Sequence, residues 1–353
     1  MLESVSARQR SGIVVAMAFV MLALTALVAP GISGAHPRAD PPPTQLAQLP
    51  ATQPARLPAT QAGDSLKVMS FNIRYGTARD GDNAWDLRRG AVIEVIDSFR
   101  PDVLGVQEAL RFQLDELAAA MPRYQEIGVG RTDGVEAGEY AAILVDRSRL
   151  ELQEQGTFWF SDTPEVPGSK SWGNDIPRIC TWARLRDRDS GRTFYIYNVH
   201  WDHQSQPSRE RSAELLMQRI AQRASAEDPV LVTGDFNAGE SNPAFERLLA
   251  LPAAGQIGAA GIQLFDTFRA LHPEATGVGT FNGFEGETTG EKIDAILASE
   301  AWHVLEAQIV RSAPQGRYPS DHFPVIATVV SRSPQGRCPS TKRLKSARLG
   351  SRC

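Results

Sequence analysis

Two hydrophobic periods alternate along this chain, and each change of period marks an element. Leu66-Lys-Val-Met-Ser-Phe-Asn-Ile73 is rich in β-branched and aromatic residues and predicts a strand. Between Asp86 and Arg100 the apolar positions Leu87, Ala91, Val92, Val95, Ile96 and Phe99 recur mainly at spacings of three and four. That spacing predicts an amphipathic helix stopped by Pro101. Further strands are expected over residues 103–108, 124–129, 141–145, 180–185, 193–199, 230–233, 292–298, 304–310 and 323–330, and 156–160 reads as a core strand. Helices are expected over 112–120, 208–223, 243–251 and 265–271. Antiparallel-looking strands with short links, mixed with helices, predict an α/β (α+β) fold, a four-layer sandwich of two stacked mixed β-sheets flanked by helices.

The ends of the chain read differently. Arg8 and Arg10 precede an uncharged, almost wholly apolar run over residues 12–28, and the small residues Ser33-Gly-Ala35 follow. This predicts a secretory signal peptide over 1–35, with an uncleaved anchor as the rival because the run is close to the ~18 residues at which spanning begins. Both readings export the remainder, leaving it periplasmic, extracellular or membrane-tethered. Residues 36–65 turn to Pro, Ala, Gln and Thr, with Leu49-Pro-Ala-Thr-Gln53 repeated as Leu57-Pro-Ala-Thr-Gln61, and predict an extended linker. The folded domain is expected over 66–331. Residues 332–353 form a basic tail, opened by a second copy of Ala313-Pro-Gln-Gly-Arg, and read as a disordered extension.

Charge narrows the choice of partner. The 353 residues carry a net −4, and the tail holds seven Lys and Arg with no acid, so residues 1–331 stand at −11. An acidic body is a poor match for gripping long nucleic acid through its phosphates. It leaves small phosphate esters open. Three cysteines, two of them in the tail, make no disulfide framework.

The informative pattern is that polar groups stand repeatedly where apolar runs end. Asn72, Glu108, His200, Asp235 with Asn237, Asp294, and Asp321 with His322 all do so. In Val230-Leu-Val-Thr-Gly-Asp-Phe-Asn237 a glycine breaks the strand, so that Asp235 and Asn237 emerge at its carboxyl end, where sheets of this kind bind ligands. Asn72, Glu108 and Asp321 offer a cation only oxygen, which suits Mg²⁺ or Mn²⁺ rather than zinc. Asp294 lies in an apolar strand where a lone carboxylate is costly, and a partner such as His322 would keep it ionised. Gly128-Val-Gly-Arg-Thr-Asp-Gly134 has the wrong spacing for dinucleotide binding and reads as a plain loop.

Ser70-Phe-Asn-Ile-Arg, Gln107-Glu108, Asn198-Val-His200, Gly234-Asp-Phe-Asn237, Ile293-Asp294 and Ser320-Asp-His-Phe323, in that order, resemble the motifs of the endonuclease/exonuclease/phosphatase (DNase I-like) superfamily. Pro177-Arg-Ile-Cys-Thr-Trp182 and His200-Trp-Asp-His203 are similar to an exported bacterial branch of mostly unassigned substrate. The resemblance covers residues 66–330. It implies Glu108, Asn72 and Asp321 as metal ligands, Asp235 as the group that activates or orients water, and Asn237 as the group that holds that water or a phosphoryl oxygen. It implies that His322, fixed by Asp294, and His200 stabilise the transferring phosphoryl group. Arg178 and Arg209 are candidates for further phosphate contacts, and Asp202 and His203 for the site of this branch. Trp201 and Ala295 depart from the branch, where phenylalanine and tyrosine are expected, and should alter pocket shape. The expected protein is an exported, monomeric, divalent-metal-dependent phosphoesterase, with a secreted nuclease or a catalytically silent binding domain as alternatives.

Overall fold

Two six-stranded sheets pack face to face in the computed structural model, which describes residues 65–250 and 262–331. The leader, linker and tail expected from the sequence lie outside the described residues. In chain order the strands are β1 (Ser65–Asn72), β2 (Val103–Ala109), β3 (Tyr124–Ile127), β4 (Tyr140–Asp146), β5 (Leu150–Trp159) and β6 (Ile179–Asp187). They continue as β7 (Thr193–His200), β8 (Val230–Asp235), β9 (Leu264–Asp266), β10 (Asp294–Ser299), β11 (Trp302–Ile309) and β12 (Val325–Ser331). The helices are α1 (Trp85–Phe99), α2 (Arg111–Ala120), α3 (Gln206–Ala221), α4 (Pro243–Leu249) and α5 (Thr267–Leu271). One sheet runs β11-β12-β1-β2-β4-β3 and the other β5-β6-β7-β8-β10-β9.

Both sheets are mixed. The pairs β1/β2 and β7/β8 are parallel and every other pair is antiparallel. A parallel pair needs a long crossover, and α1 and α3 occupy the two crossovers. Three large buried clusters follow among the described residues. Val68, Val103, Ile196, Leu231, Ile296 and Val325 fill the space between the sheets. Met69, Phe71, Leu104 and Val106 face outward onto Val92, Ile96, Leu114 and Leu117 of α1 and α2. Tyr197, Val199, Val232 and Leu297 face outward onto Ala213, Leu216 and Phe245 of α3 and α4.

The period of two carries the inner face into the site. Val68, Ser70 and Asn72 share one side of β1, as do Ile196, Asn198 and His200 of β7 and Leu231, Thr233 and Asp235 of β8. The inner face is thus apolar in the middle of the sandwich and polar at one end. Asn198 ties the sheets at the transition: its Nδ2 donates to the carbonyls of Val106 (2.9 Å) and Ala142 (2.8 Å). Its Oδ1 accepts from Gln107 Nε2 (2.7 Å) and Thr233 Oγ1 (3.0 Å). Gly105 lies opposite, where a Cβ would stand 2.6 Å from Asn198 Oδ1 and closer still to Thr233 Oγ1.

Three details differ from the sequence reading. Leu87 does not join the apolar face of α1: it is 57% exposed, and Arg88 takes the inward position. Arg88 can do so because its guanidinium donates to the carbonyls of Ile73 (2.6 Å), Arg74 (2.9 Å) and Pro319 (3.0 Å). The segment expected as one helix over 265–271 splits, since Asp266 ends β9 and caps α5 by accepting from the N–H groups of Phe268 and Arg269. The strand expected over 156–160 begins at Leu150. Among the described residues no helix is long and apolar enough to cross a membrane.

Candidate active site

The polar end of the sandwich opens as a cleft of about 630 Å³, lined among others by Arg74, Glu108, Arg131, Glu139, Arg178, His200, His203, Asp235, Asn237, Asp321 and His322. Local backbone distortions aim two of these side chains. The register of β2 on β4 slips between Val106 and Ala109, and Glu108 sits there with φ +61°. Such a bulge turns one residue out of the ladder, and here it redirects a carboxylate. Asn237 takes φ +46° just after β8. Between Asp235 and Asn237 the ring of Phe236 is fully buried, edge-on to Trp201 (5.0 Å) and Phe245 (5.2 Å). The anchored ring leaves its polar neighbours at the cleft.

Asp235, Asp294 and His322 form one group. Register pairs Asp294 directly with Asp235 across β10 and β8. His322 Nδ1 lies 2.8 Å from Asp294 Oδ2, and its Nε2 lies 3.8 Å from Asp235 Oδ2. Burial opposes a charge on His322, but the carboxylates of Asp294 and Asp235 outweigh it and hold the imidazolium well above its usual range. Burial, and then the charge of Asp294, push the Asp235 carboxyl up to about 7. Asp235 Oδ1 accepts from the Asn237 N–H (2.9 Å) and Oδ2 from Asn72 Nδ2 (3.0 Å).

A second group centres on Arg178, which is 3% exposed. Its Nη1 lies 3.0 Å from His200 Nε2, its Nη2 2.8 Å from His203 Nδ1, and its Nε 3.3 Å from Asp202 Oδ2. A guanidinium only donates, so both imidazoles accept at those nitrogens and carry their protons on the other ones. His200 Nδ1 then points its N–H toward Glu139 Oε2, 3.9 Å away. Burial, followed by Arg178 and Arg131, pushes the His200 pKa well below its usual value, so it is neutral. Burial opposes ionisation of Asp202, but the N–H groups of Ser205 and Gln204, with Arg178, hold its carboxyl low. Glu139, paired to Arg131 at 2.6 Å, is pushed up to about 7 chiefly by burial.

The acidic residues fit a hard cation by donor chemistry. Glu108 and Asp321 share the cleft; burial raises the Asp321 carboxyl, the charge of His322 pulls it down and that of Glu108 pushes it up, and a cation would relieve the repulsion between the two carboxylates. Among the described residues, ligand atoms of Glu108, His200 and Asp235 lie within 4.8 Å of one another, as do those of Asp235, Asp294 and His322. The Nε2 of His200 is already engaged by Arg178, so the first set reduces to oxygen donors. Asn72 presents its NH₂ to Glu108 (3.1 Å) and Asp235, and its carbonyl oxygen accepts from the Arg74 N–H at 3.0 Å. In this arrangement Asn72 bridges the carboxylates, and ligation would require its amide to turn over.

Not every expected residue reaches the cleft. Arg209 donates to Gln206 Oε1 and to the Asp202 carbonyl (2.8 Å) and does not line it. Trp201 and Ala295 are fully buried in one apolar cluster behind β7, β8 and β10, so they shape the support of the site rather than its pocket. The glycine loop over 128–134 is more than a loop, because it delivers Arg131. Arg131 and Glu139 were not anticipated, and no spacing in the sequence marks them; Arg74 closes the Ser70-Phe-Asn-Ile-Arg motif but was given no role.

Comparison with known proteins places the fold in a known family. A model of the Endonuclease/Exonuclease/phosphatase family matches residues 69–322. An endonuclease/exonuclease/phosphatase of Bacteroides vulgatus is 32% identical with a TM-score of 0.68, covering 76% of this chain and 99% of that one. A mannosyl-6-phosphatase of Bacteroides thetaiotaomicron is 31% identical with a TM-score of 0.67, covering 75% of this chain and 99% of that one. An uncharacterized protein of Acanthamoeba polyphaga mimivirus is 25% identical over 288 residues, which are 74% of this chain and 98% of that protein.

Proposed function

The chain belongs to the endonuclease/exonuclease/phosphatase family, whose members are generally hydrolases of phosphoesters, and from that membership we propose a divalent-metal-dependent phosphoesterase acting on small phosphate esters. The observation that carries the reading is the juxtaposition of a charged His322 and a carboxyl of Asp235 that titrates near neutrality, 3.8 Å apart in the cleft. A general base works best with a pKa near the working pH. A protonated His322 cannot accept a proton, which supports giving that task to Asp235.

The residues then divide the work. Asp235, held by Asn237 and Asn72, takes the proton of the attacking water. His322 donates its Nε2–H to a phosphoryl oxygen. Arg178 sets the tautomers of both imidazoles: the N–H of His200 faces Glu139, and His203, whose Nδ1 accepts from Arg178, is left with its Nε2–H as a further donor to the anion. Family enzymes use divalent metals, and Glu108 and Asp321, with Asn72 after an amide turn, would hold Mg²⁺ or Mn²⁺, which supplies Lewis-acid stabilisation of phosphoryl charge when bound.

A phosphomonoester is the favoured substrate, supported by the mannosyl-6-phosphatase relative and by the acidic body of the chain. Export is proposed with it, on the apolar run over residues 12–28 and the small residues after it. The test is p-nitrophenolate release from p-nitrophenyl phosphate and bis(p-nitrophenyl) phosphate with Mg²⁺, Mn²⁺ or EDTA. Metal-dependent release supports the reading, and none from either substrate by folded protein refutes it.

A further inference from the structure

The cleft is not uniform: Arg131 and Arg178 are buried and Arg74 is half-buried, and its open rim carries an aromatic ring and a carboxylate. Phe281 is 50% exposed, while its neighbours Thr280 and Asn282 are 0% and 1% exposed. Both neighbours are pinned. Thr280 Oγ1 accepts from the N–H groups of Ile293 and Asp294 at 3.0 Å. Asn282 donates through Nδ2 to the Ser320 carbonyl (3.2 Å) and through its N–H to the Asp321 carbonyl (2.6 Å). Phe281 itself bridges to His322, so the extended alternation points its ring outward from a fixed backbone. A large aromatic held this firmly in solvent gives up burial that folding would reward.

What the ring faces gives the reason. Phe281 lies edge-on to His322 with ring centroids 5.2 Å apart, and both line the cleft. Glu291 lines the same rim and is exposed, and no hydrogen bond or ion pair among the described residues engages its carboxylate. Its side chain lies over Gly239, where a Cβ would collide with it. Ile176 and Ile293 complete the wall.

We infer that Phe281 and Glu291 form the leaving-group subsite and that it takes an uncharged, hydroxyl-bearing ring, so that the substrate is a sugar monophosphate. This rests on the phosphoesterase reading above. With the phosphoryl group at His322, a platform one ring-width away meets the first ring beyond the ester oxygen. The carbon-bound face of a sugar ring packs on Phe281, and its hydroxyls donate to Glu291, a carboxylate that only accepts. A leaving group bearing further phosphates would face Glu291 and be repelled. That disfavours polyphosphates and nucleic acid.

The test uses the full chain with Mg²⁺ or Mn²⁺ and four substrates: glucose 6-phosphate, phenyl phosphate, glycerol 1-phosphate and adenosine 5′-monophosphate. Phe281→Ala is expected to lower the ratio of kcat/KM for glucose 6-phosphate to that for glycerol 1-phosphate about fivefold, mainly through KM, and Phe281→Trp to restore it. Glu291→Ala is expected to lower the ratio of glucose 6-phosphate to phenyl phosphate by a similar factor. Equal losses on every substrate overturn the subsite and leave the phosphoesterase standing. A loss confined to adenosine 5′-monophosphate assigns the ring to a nucleobase and also overturns it. No release from any substrate by the wild-type chain overturns both readings.

Discussion

Asp294 Oδ2 stands 2.8 Å from His322 Nδ1, and the other oxygen of Asp294 has no hydrogen-bond partner among the described residues. A buried carboxylate with one free oxygen is costly, so its attraction for the imidazolium is what keeps both in place. Asp294→Asn keeps the shape and removes the charge. The imidazole then loses the larger of the two carboxylate charges that offset its burial, which lowers its pKa and weakens its hold on the proton. Turnover is expected to fall by about 10²–10⁴-fold with far-UV circular dichroism unchanged. A kcat close to wild type would show that the charge on His322 is not used.

Glu139 gives a pH-dependent stability. Its folded pKa of about 7 lies above the usual ~4.3 of a glutamate. Between those values the folded protein keeps a proton that the unfolded chain has released, so this group makes stability fall as pH rises through the window. Above 7 the loss is complete. Glu139→Gln removes the slope, and its stability relative to wild type should improve by on the order of 2 kcal/mol from pH 5 to pH 8. Urea unfolding of the metal-free proteins measures it. A difference that does not change with pH would mean that Glu139 is not a buried acid.

Metal binding is checked without any substrate. Millimolar Mg²⁺ or Mn²⁺ should raise the unfolding temperature by about 5 °C, the shift expected of an ion present far above its dissociation constant. Glu108→Gln should remove most of that shift. A shift that survives in Glu108→Gln would place the ion elsewhere.

The close approach of the sheets is tested at Gly105. An alanine there meets Asn198 Oδ1 and Thr233 Oγ1, both fixed in the network that joins the sheets. Gly105→Ala should cost about 2–3 kcal/mol, seen as a lower urea midpoint at unchanged slope. A cost under about 0.5 kcal/mol would show that the network yields freely.

How far the sequence could be read follows from what carried the signal. Runs of β-branched and aromatic residues identified most strands, and the polar residues ending those strands gathered at one end of the sandwich because each continues the inner face of its strand. Asn72, His200, Asp235 and Asp294 are of this kind. Arg88 displaced Leu87 because its carbonyl partners come from residues 73, 74 and 319, and no local pattern contains them. Arg131 and Glu139 escaped notice for the same reason: their place beside His200 depends on loops brought together by the fold. The amide of Asn72 was expected to offer oxygen to a metal, yet its NH₂ faces the two carboxylates, an orientation set by the Arg74 N–H.

The central claim is that Asp235 activates water beside a charged His322, and turnover of Asp235→Asn tests it most directly. With Mg²⁺ or Mn²⁺ and p-nitrophenyl phosphate at pH 7.5, the account predicts metal-dependent release by the wild-type chain and a fall of about 10²-fold or more in Asp235→Asn, with the unfolding transition retained. Release by Asp235→Asn at the wild-type rate would contradict the account.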